Sequence, residues 1–165
     1  MNNEELGVLW FDAHADFNTM NTYPSCNIYG VPISVLCGHT LNSLSYENFL
    51  KPSQFAYYGI RDIDALEFQR LQHYNMITLD NEYKLVEFIN NFDKIHLTFD
   101  MDCIGIELVK CVNTPVKNGP SFENIKNMLS LIKKSKKLMS MDLVEYNPEK
   151  GNDLKLVDTI IETVL

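Results

Sequence analysis

Residues 9–16 read Leu9-Trp10-Phe11-Asp12-Ala13-His14-Ala15-Asp16, an apolar strand running directly into D-x-H-x-D. Side chains alternate between the faces of a strand, so Asp12 and His14 project together, and Asp16 joins them if the chain bends just past the strand end. A second stretch repeats the pattern. Ile95-His96-Leu97-Thr98-Phe99-Asp100-Met101-Asp102 is another apolar strand that ends in two carboxylates of one parity. Short, largely apolar strands of this kind belong to a parallel sheet whose two faces are covered by helices.

Working outward, strands are predicted at Gly7–Phe11, Phe55–Gly59, Asn75–Thr78, Lys94–Phe99 and Lys137–Met141. Apolar residues recur at helical spacing over Ile63–His73, Tyr83–Asn91, Phe122–Lys134 and Asp153–Leu165. Ser121 precedes the third of these helices as its N-cap, with Glu123 in the first turn, where a carboxylate favours the helix dipole. This alternation predicts an α/β fold: three α/β/α layers around a parallel sheet. The stretch from Phe17 to Pro52 is rich in Asn, Thr, Ser, Pro and Gly and is the least regular part. Loops of that length are usually functional or contain further structure.

The chain's 165 residues suit one domain. Its 45% hydrophobic and 22% charged content excludes disordered and low-complexity classes. Fourteen basic against twenty-two acidic residues leave a net charge of −8, which repels nucleic-acid phosphates and anionic membranes, so neither is an expected partner. Met1-Asn2-Asn3-Glu4-Glu5 carries acid where a secretion signal needs base, and no run approaches the ~18 apolar residues of a membrane span. A cytoplasmic location is expected. Cys26, Cys37, Cys103 and Cys111 form no C-x-x-C pair and are expected as reduced thiols. Lys133-Lys134-Ser135-Lys136-Lys137 reads as a solvated helix end that complements the dipole.

In open parallel sheets, ligands bind beyond the carboxyl ends of strands, and both acidic clusters fall there. Four carboxylates and one imidazole so close together need a cation between them. The donor set suits Mn²⁺ or Mg²⁺ better than a thiolate zinc site or copper, and bridging carboxylates admit two ions ~3.5–4 Å apart. The plain alternative is that Asp12 and Asp16 cap a turn around an ordinary loop histidine; recurrence of the pattern at a second strand end argues against it. Of the other histidines, His96 lies four residues before Asp100, ~13 Å along a strand, and reads as a strand histidine. His73 falls at a helix end, and His39, in the irregular stretch, stays open as an extra ligand. Cys103 follows a candidate metal aspartate and reads as a buried thiol.

Taken together, these motifs resemble the ureohydrolase superfamily, and within it the arginase family most closely. Asp12-Ala13-His14-Ala15-Asp16-Phe17-Asn18-Thr19 is similar to the family's first metal motif and Thr98-Phe99-Asp100-Met101-Asp102 to its second. Met141-Asp142-Leu143-Val144-Glu145-Tyr146-Asn147-Pro148 is similar to the segment whose glutamate holds the substrate guanidinium. The resemblance spans nearly all of residues 1–165, read as one arginase-like domain that corresponds to the C-terminal portion of the family domain.

The resemblance implies that Asp12 and Asp100 each bridge two Mn²⁺ ions, with Asp16 serving one and His14 and Asp102 the other. It implies that Glu145 pairs with the guanidinium, that Asn18 and Ser25 contact an α-carboxylate, and that Asp64 reads an α-amino group. The implied reaction is hydrolysis of a C–N bond in a linear amidine. L-arginine would give L-ornithine and urea through a metal-bridging hydroxide, with Asp102 and Glu145 catalytic and Asp102 carrying a proton to the leaving amine. Assembly as a trimer or hexamer is implied as well.

Three departures accompany these matches. The family's G-G-D-H-type motif, which supplies another metal-ligand histidine, has no counterpart, so the N-terminal part of the domain is expected to be missing and the ion served by Asp16 weak or absent. Tyr29 stands where the family has a proton-shuttling histidine, and tyrosine titrates near ~10 rather than ~6.5. Cys103-Ile104 replaces an Asp-Pro pair. Each points to low activity. Three readings follow: a Mn²⁺-dependent arginase-like hydrolase; a non-catalytic metal-binding relative acting as a regulatory partner or fragment; or a hydrolase of another guanidino or formimino compound such as agmatine. Asn18 and Ser25 tilt the substrate toward an α-amino acid.

Overall fold

The computed structural model describes residues 5–22, 27–40 and 48–165, so Ser25 and Cys26 lie outside the described residues. Five strands form one sheet: β1 (Leu6–Phe11), β2 (Phe55–Tyr58), β3 (Ile77–Thr78), β4 (Lys94–Asp100) and β5 (Leu138–Val144). They lie in the order β3-β2-β1-β4-β5, and every neighbouring pair is parallel. The helices are α1 (Pro32–Leu36), α2 (Ala65–His73), α3 (Glu82–Asn90), α4 (Phe122–Ser135) and α5 (Leu154–Val164). From β1 the chain winds outward through β2 to β3, then returns to lay β4 on the other side of β1. The β1–β4 seam is therefore the topological switch point, where the crossovers diverge and a crevice opens at the strand ends.

Strand parity explains the layers. Leu9, Phe11, Leu97 and Phe99 face α3, α4 and α5, where Leu85, Phe88, Ile125, Leu129, Ile132 and Ile160 complete one core. Val8, Trp10, Phe55 and Tyr57 face the opposite way and pack with Phe17, Ile33 and Leu71 under α1 and α2. Each fully buried Leu or Phe contributes roughly 1.5–3 kcal/mol, so the two cores hold the sheet from both sides. At β5 the second face is polar and open: Ser140 and Asp142, in register with His96 and Thr98, are exposed.

Several element boundaries differ from those read in sequence, each for a local reason. α1 lies inside the stretch that looks irregular, and it opens with Pro32, which is pre-shaped for a first helical turn. α2 begins at Ala65 rather than Ile63 because the Asp64 carboxylate accepts from the Leu66 and Glu67 amides as N-cap. β3 shortens to Ile77–Thr78, since Asn75 adopts a left-handed turn conformation (φ 51°). β5 runs on to Val144 because β4 pairs it through Asp100. Ser121 accepts from the Asn124 amide as the cap of α4. Cys37, Cys103 and Cys111 are free thiols, and no helix among the described residues is long and apolar enough to cross a membrane.

Gly59, just after β2, has φ +95°, and a Cβ there would sit 2.6 Å from Cys103 Sγ and 3.1 Å from the Asp12 carbonyl oxygen. Gly59→Ala is expected to destabilise by about 2 kcal/mol or more, from left-handed strain and the sulfur clash together. Urea unfolding checks this. Adding Cys103→Ala should recover the clash component and leave the backbone component.

Candidate metal centre and substrate cleft

At the carboxyl end of the β1–β4 seam the two acidic motifs fold in the same way. β1 ends at Phe11, so Asp12 and His14 do not share a strand face. Instead the Asp12 Oδ1 accepts from the His14 amide at 2.7 Å, a turn in which a short carboxylate caps the backbone two residues on. Asp100 does the same for the Asp102 amide, also at 2.7 Å, and starts a single 3-10 turn over Met101–Cys103. The D-x-H and D-x-D spacings thus work through local turns. Each turn folds its second residue back beside its first.

The β1–β4 register then brings the turns together. His14 Nδ1 lies 3.3 Å from Asp12 Oδ1 and 3.1 Å from Asp102 Oδ2. One donor atom from each of Asp12, His14 and Asp102 falls within 4.8 Å of the others, close enough for all three to hold one metal ion. The Ala13 amide donates to Asp102 Oδ1, Thr114 Oγ1 donates to Asp102 Oδ2, and Trp10 Nε1 donates to Asp12 Oδ2, so both carboxylates are held in fixed orientations. Asp16, at φ 50°, and Asp100 line the same cleft of about 1260 Å³, as do Asn18, Tyr29, Asp64 and Glu145.

Electrostatics at the cluster are those of a site short of positive charge. Burial raises Asp12 to about 6 and Asp100 to about 10, and neighbouring aspartates add to both shifts. Burial and the Asp12 charge also push Asp16 well above the usual carboxylate range. Burial opposes ionisation of His14 and Asp102 too, but their mutual contact wins. His14 rises to about 11 with help from Asp12, and Asp102 falls below its ordinary value. In this state the His14 imidazolium is the cation between two carboxylates. A hard divalent ion, which prefers oxygen donors with an occasional imidazole, fits the same donor set.

The other candidates divide clearly. The Asn18 side-chain amide donates to Asp64 Oδ2 at 2.7 Å, so these two meet at the cleft wall. Glu145 follows β5 with φ 60°. Tyr29 is 71% exposed at the rim. His39 stacks on Tyr74 at 4.7 Å and meets Arg70, away from the aspartates; burial and the Arg70 charge lower its pKa. His96 bonds Ser140 Oγ from within β4, and His73 closes α2. The Cys103 thiol is buried against the Tyr58 carbonyl oxygen.

Trp10, Thr114 and Glu67 are participants that the sequence reading misses. Glu67 sits in the first turn of α2, where an acid reads as a dipole partner, yet it is buried and accepts from the Phe17 amide at 2.8 Å. Nothing in the spacing of Thr114 from Asp102 marks it.

With this geometry in place, comparison with known proteins is decisive. The model of the arginase family matches residues 1–163. The chain belongs to the arginase family. It is 38% identical over 161 residues to an arginase of Entamoeba histolytica, covering 89% of this chain and 54% of that protein. An arginase of Staphylococcus aureus is 34% identical over 87% of this chain and 52% of its own length. The chain spans about half the length of these curated relatives. The crystal structure of E. histolytica arginase in complex with L-ornithine superposes with a TM-score of 0.91 at 33% identity, covering 99% of this chain and 61% of that one. Bacillus subtilis arginase gives 0.89 at 28% identity over 98% of this chain. The three-layer α/β/α fold is therefore that of the arginase family.

Burial pushes Glu67 up to about 7, with Asp64 adding to the rise and the Phe17 amide and His14 opposing it; Asp16 and Tyr57 also face it. A carboxyl whose folded pKa is raised costs nothing at low pH, where both states are protonated. It destabilises progressively as pH climbs from the ordinary value of 4.5 through about 7. Glu67→Gln keeps an acceptor for Phe17 and is expected to stabilise the metal-free protein by on the order of 2–3 kcal/mol at pH 8 and by almost nothing at pH 4.5. Thermal melts at the two pH values in a chelating buffer measure the difference.

Proposed function

We propose that this chain is a Mn²⁺-dependent hydrolase acting on the C–N bond of a guanidino substrate, with L-arginine the substrate that the residues favour. The observation that carries the reading is the convergence of Asp12, His14 and Asp102 at the strand ends, inside a cleft that Asp16, Asp100 and Glu145 also line. Asp12, His14, Asp100 and Asp102 would hold one ion, and Asp12, Asp16 and Asp100 would serve a second beside it. A divalent ion bound there supplies Lewis-acid polarisation and a lowered pKa for water.

The protein's own groups supply the rest. Glu145 accepts two parallel N–H bonds from the guanidinium, which fixes its plane. Asn18 and Asp64, already bonded to one another, take the α-carboxylate and α-amino ends, with Ser25 assigned to the same carboxylate. Asp102, oriented by Ala13, Thr114 and His14, carries the proton to the leaving amine. The E. histolytica relative is solved with L-ornithine, an α-amino acid, which supports L-arginine over agmatine.

A second reading, a metal-binding protein without turnover, has its own support. Among the described residues the only three-donor cluster is Asp12, His14 and Asp102, and Asp16 is outside it. Tyr29, where the family resemblance places a histidine, stands exposed at the edge of the cleft.

Titration with Mn²⁺ is expected to give one tight ion per chain, weakened at least ~10-fold by Asp12→Asn or Asp102→Asn. Urea release from L-arginine with Mn²⁺ present, abolished by Glu145→Gln, establishes the hydrolase. Tight Mn²⁺ binding without urea overturns L-arginine as the substrate and leaves the second reading or a hydrolase of another guanidino or formimino compound, and no Mn²⁺ binding overturns the Mn²⁺-dependent readings together.

A further inference from the structure

Arg61 lies two residues beyond Gly59 and touches none of the candidate ligand carboxylates. Its guanidinium nevertheless uses all five of its N–H donors, each on a backbone carbonyl oxygen. Nη1 donates to Gly59 at 2.7 Å and Cys103 at 3.1 Å, Nη2 to Asp102 at 2.9 Å and Val116 at 3.1 Å, and Nε to Lys117 at 2.8 Å. Three separate segments thus meet on one planar cation: the end of β2, the turn after β4, and the loop at 116–117. The backbone of the same residue fastens a fourth, since the Arg61 and Asp62 amides both donate to the Ala13 carbonyl oxygen, at 2.8 and 3.0 Å.

These four segments are the ones that assemble the metal centre. Ala13 lies between Asp12 and His14 and gives its amide to Asp102 Oδ1. The loop at 116–117 is continuous with Thr114, which gives its hydroxyl to Asp102 Oδ2. A Cβ at Gly59 would lie 2.6 Å from Cys103 Sγ, so the segments that follow β2 and β4 approach one another closely here. We propose that Arg61 is the positioning residue of this centre: it sets the separation between the Asp12–His14 turn and the Asp100–Asp102 turn, and so the metal affinity, without contacting metal or substrate. The inference rests on the metal reading given above.

The chemistry of the residue fits this role. A planar fork of five donors matches five carbonyls arranged around it, and no other side chain has as many. Lysine carries three donors on one nitrogen, so Arg61→Lys keeps the charge but leaves at least two of the five carbonyls without a donor and loses the planar fork that spans the three segments. Because its partners are carbonyls, Arg61 occupies none of the aspartate carboxylate oxygens.

The test uses the full chain and Mn²⁺ alone, following free and bound ion by electron paramagnetic resonance, with thermal unfolding in a chelator alongside. Lys137→Met is the control for a structural role. Lys137 also clamps backbone carbonyls, those of Ile89 and Phe92, but at the opposite end of the sheet. Arg61→Lys is expected to weaken Mn²⁺ binding ~10–100-fold and to alter the spectrum of the bound ion, whereas Lys137→Met lowers the melting temperature and leaves the affinity within about twofold.

Thr114→Val is expected to weaken binding in the wild type with little change in melting temperature, and to add nothing in the Arg61→Lys background, where the loop has already been released. It also decides the matter if Arg61→Lys fails to fold. Affinity within twofold of wild type in Arg61→Lys, an equal loss in Lys137→Met, or unchanged affinity in Thr114→Val overturns the proposal and leaves the metal reading standing. Absence of Mn²⁺ binding by the wild type overturns the metal reading itself.

Discussion

The parallel pairing of β1 with β4, in the register that sets Phe11 beside Phe99, is the constraint on which the rest of this protein depends. One residue further along each strand are Asp12 and Asp100, and two residues beyond those are His14 and Asp102. A slip of one residue would turn Leu9, Phe11, Leu97 and Phe99 out of the core under α3–α5 and drive Val8, Trp10, His96 and Thr98 into it. Hydrophobic burial therefore fixes the register, and the register fixes which carboxylates share a site. The site inherits its precision from the core.

That arrangement concentrates like charge where water is scarce, and the structure answers with fixed partners. Asp12 is held by Trp10 and the His14 amide, Asp102 by Ala13 and Thr114, and the His14 imidazolium stands between them. Arg61 holds the surrounding segments through carbonyls alone. Supporting groups of this kind fix the orientation of carboxylates that could hold an ion, which is their physical advantage around a metal site.

Much of the fold could be read along the chain because its determinants are local. Apolar runs marked the five strands, helical spacing marked α2 to α5, and Ser121 capped α4 as its hydroxyl chemistry requires. The spacings D-x-H and D-x-D likewise pointed to one region, although strand parity was the wrong reason: each aspartate caps the amide two residues on, and a turn folds the pair together. α1 escaped notice because five residues starting at a proline carry too little periodicity to stand out from a polar stretch. Glu67 carried no signal of its own, since nothing in its neighbours along the chain announced that α2 would bury it.

The sequence by itself determined the parallel α/β class, the strand ends at which the chemistry gathers, the membership of Asp12, His14, Asp16, Asp100 and Asp102 in one acidic region, and the family resemblance. These are properties of short runs and of residue types at fixed spacing. Only the tertiary structure decided that Asp12, His14 and Asp102 form the close cluster, that Asn18 meets Asp64, and that Thr114, Glu67 and Arg61 belong to the site. The deciding contacts join residues far apart along the chain: Thr114 and Asp102 are 12 positions apart, Asn18 and Asp64 46, and Ala13 and Asp102 89. Such contacts are set by how strands and helices pack, and no local pattern along the chain encodes them.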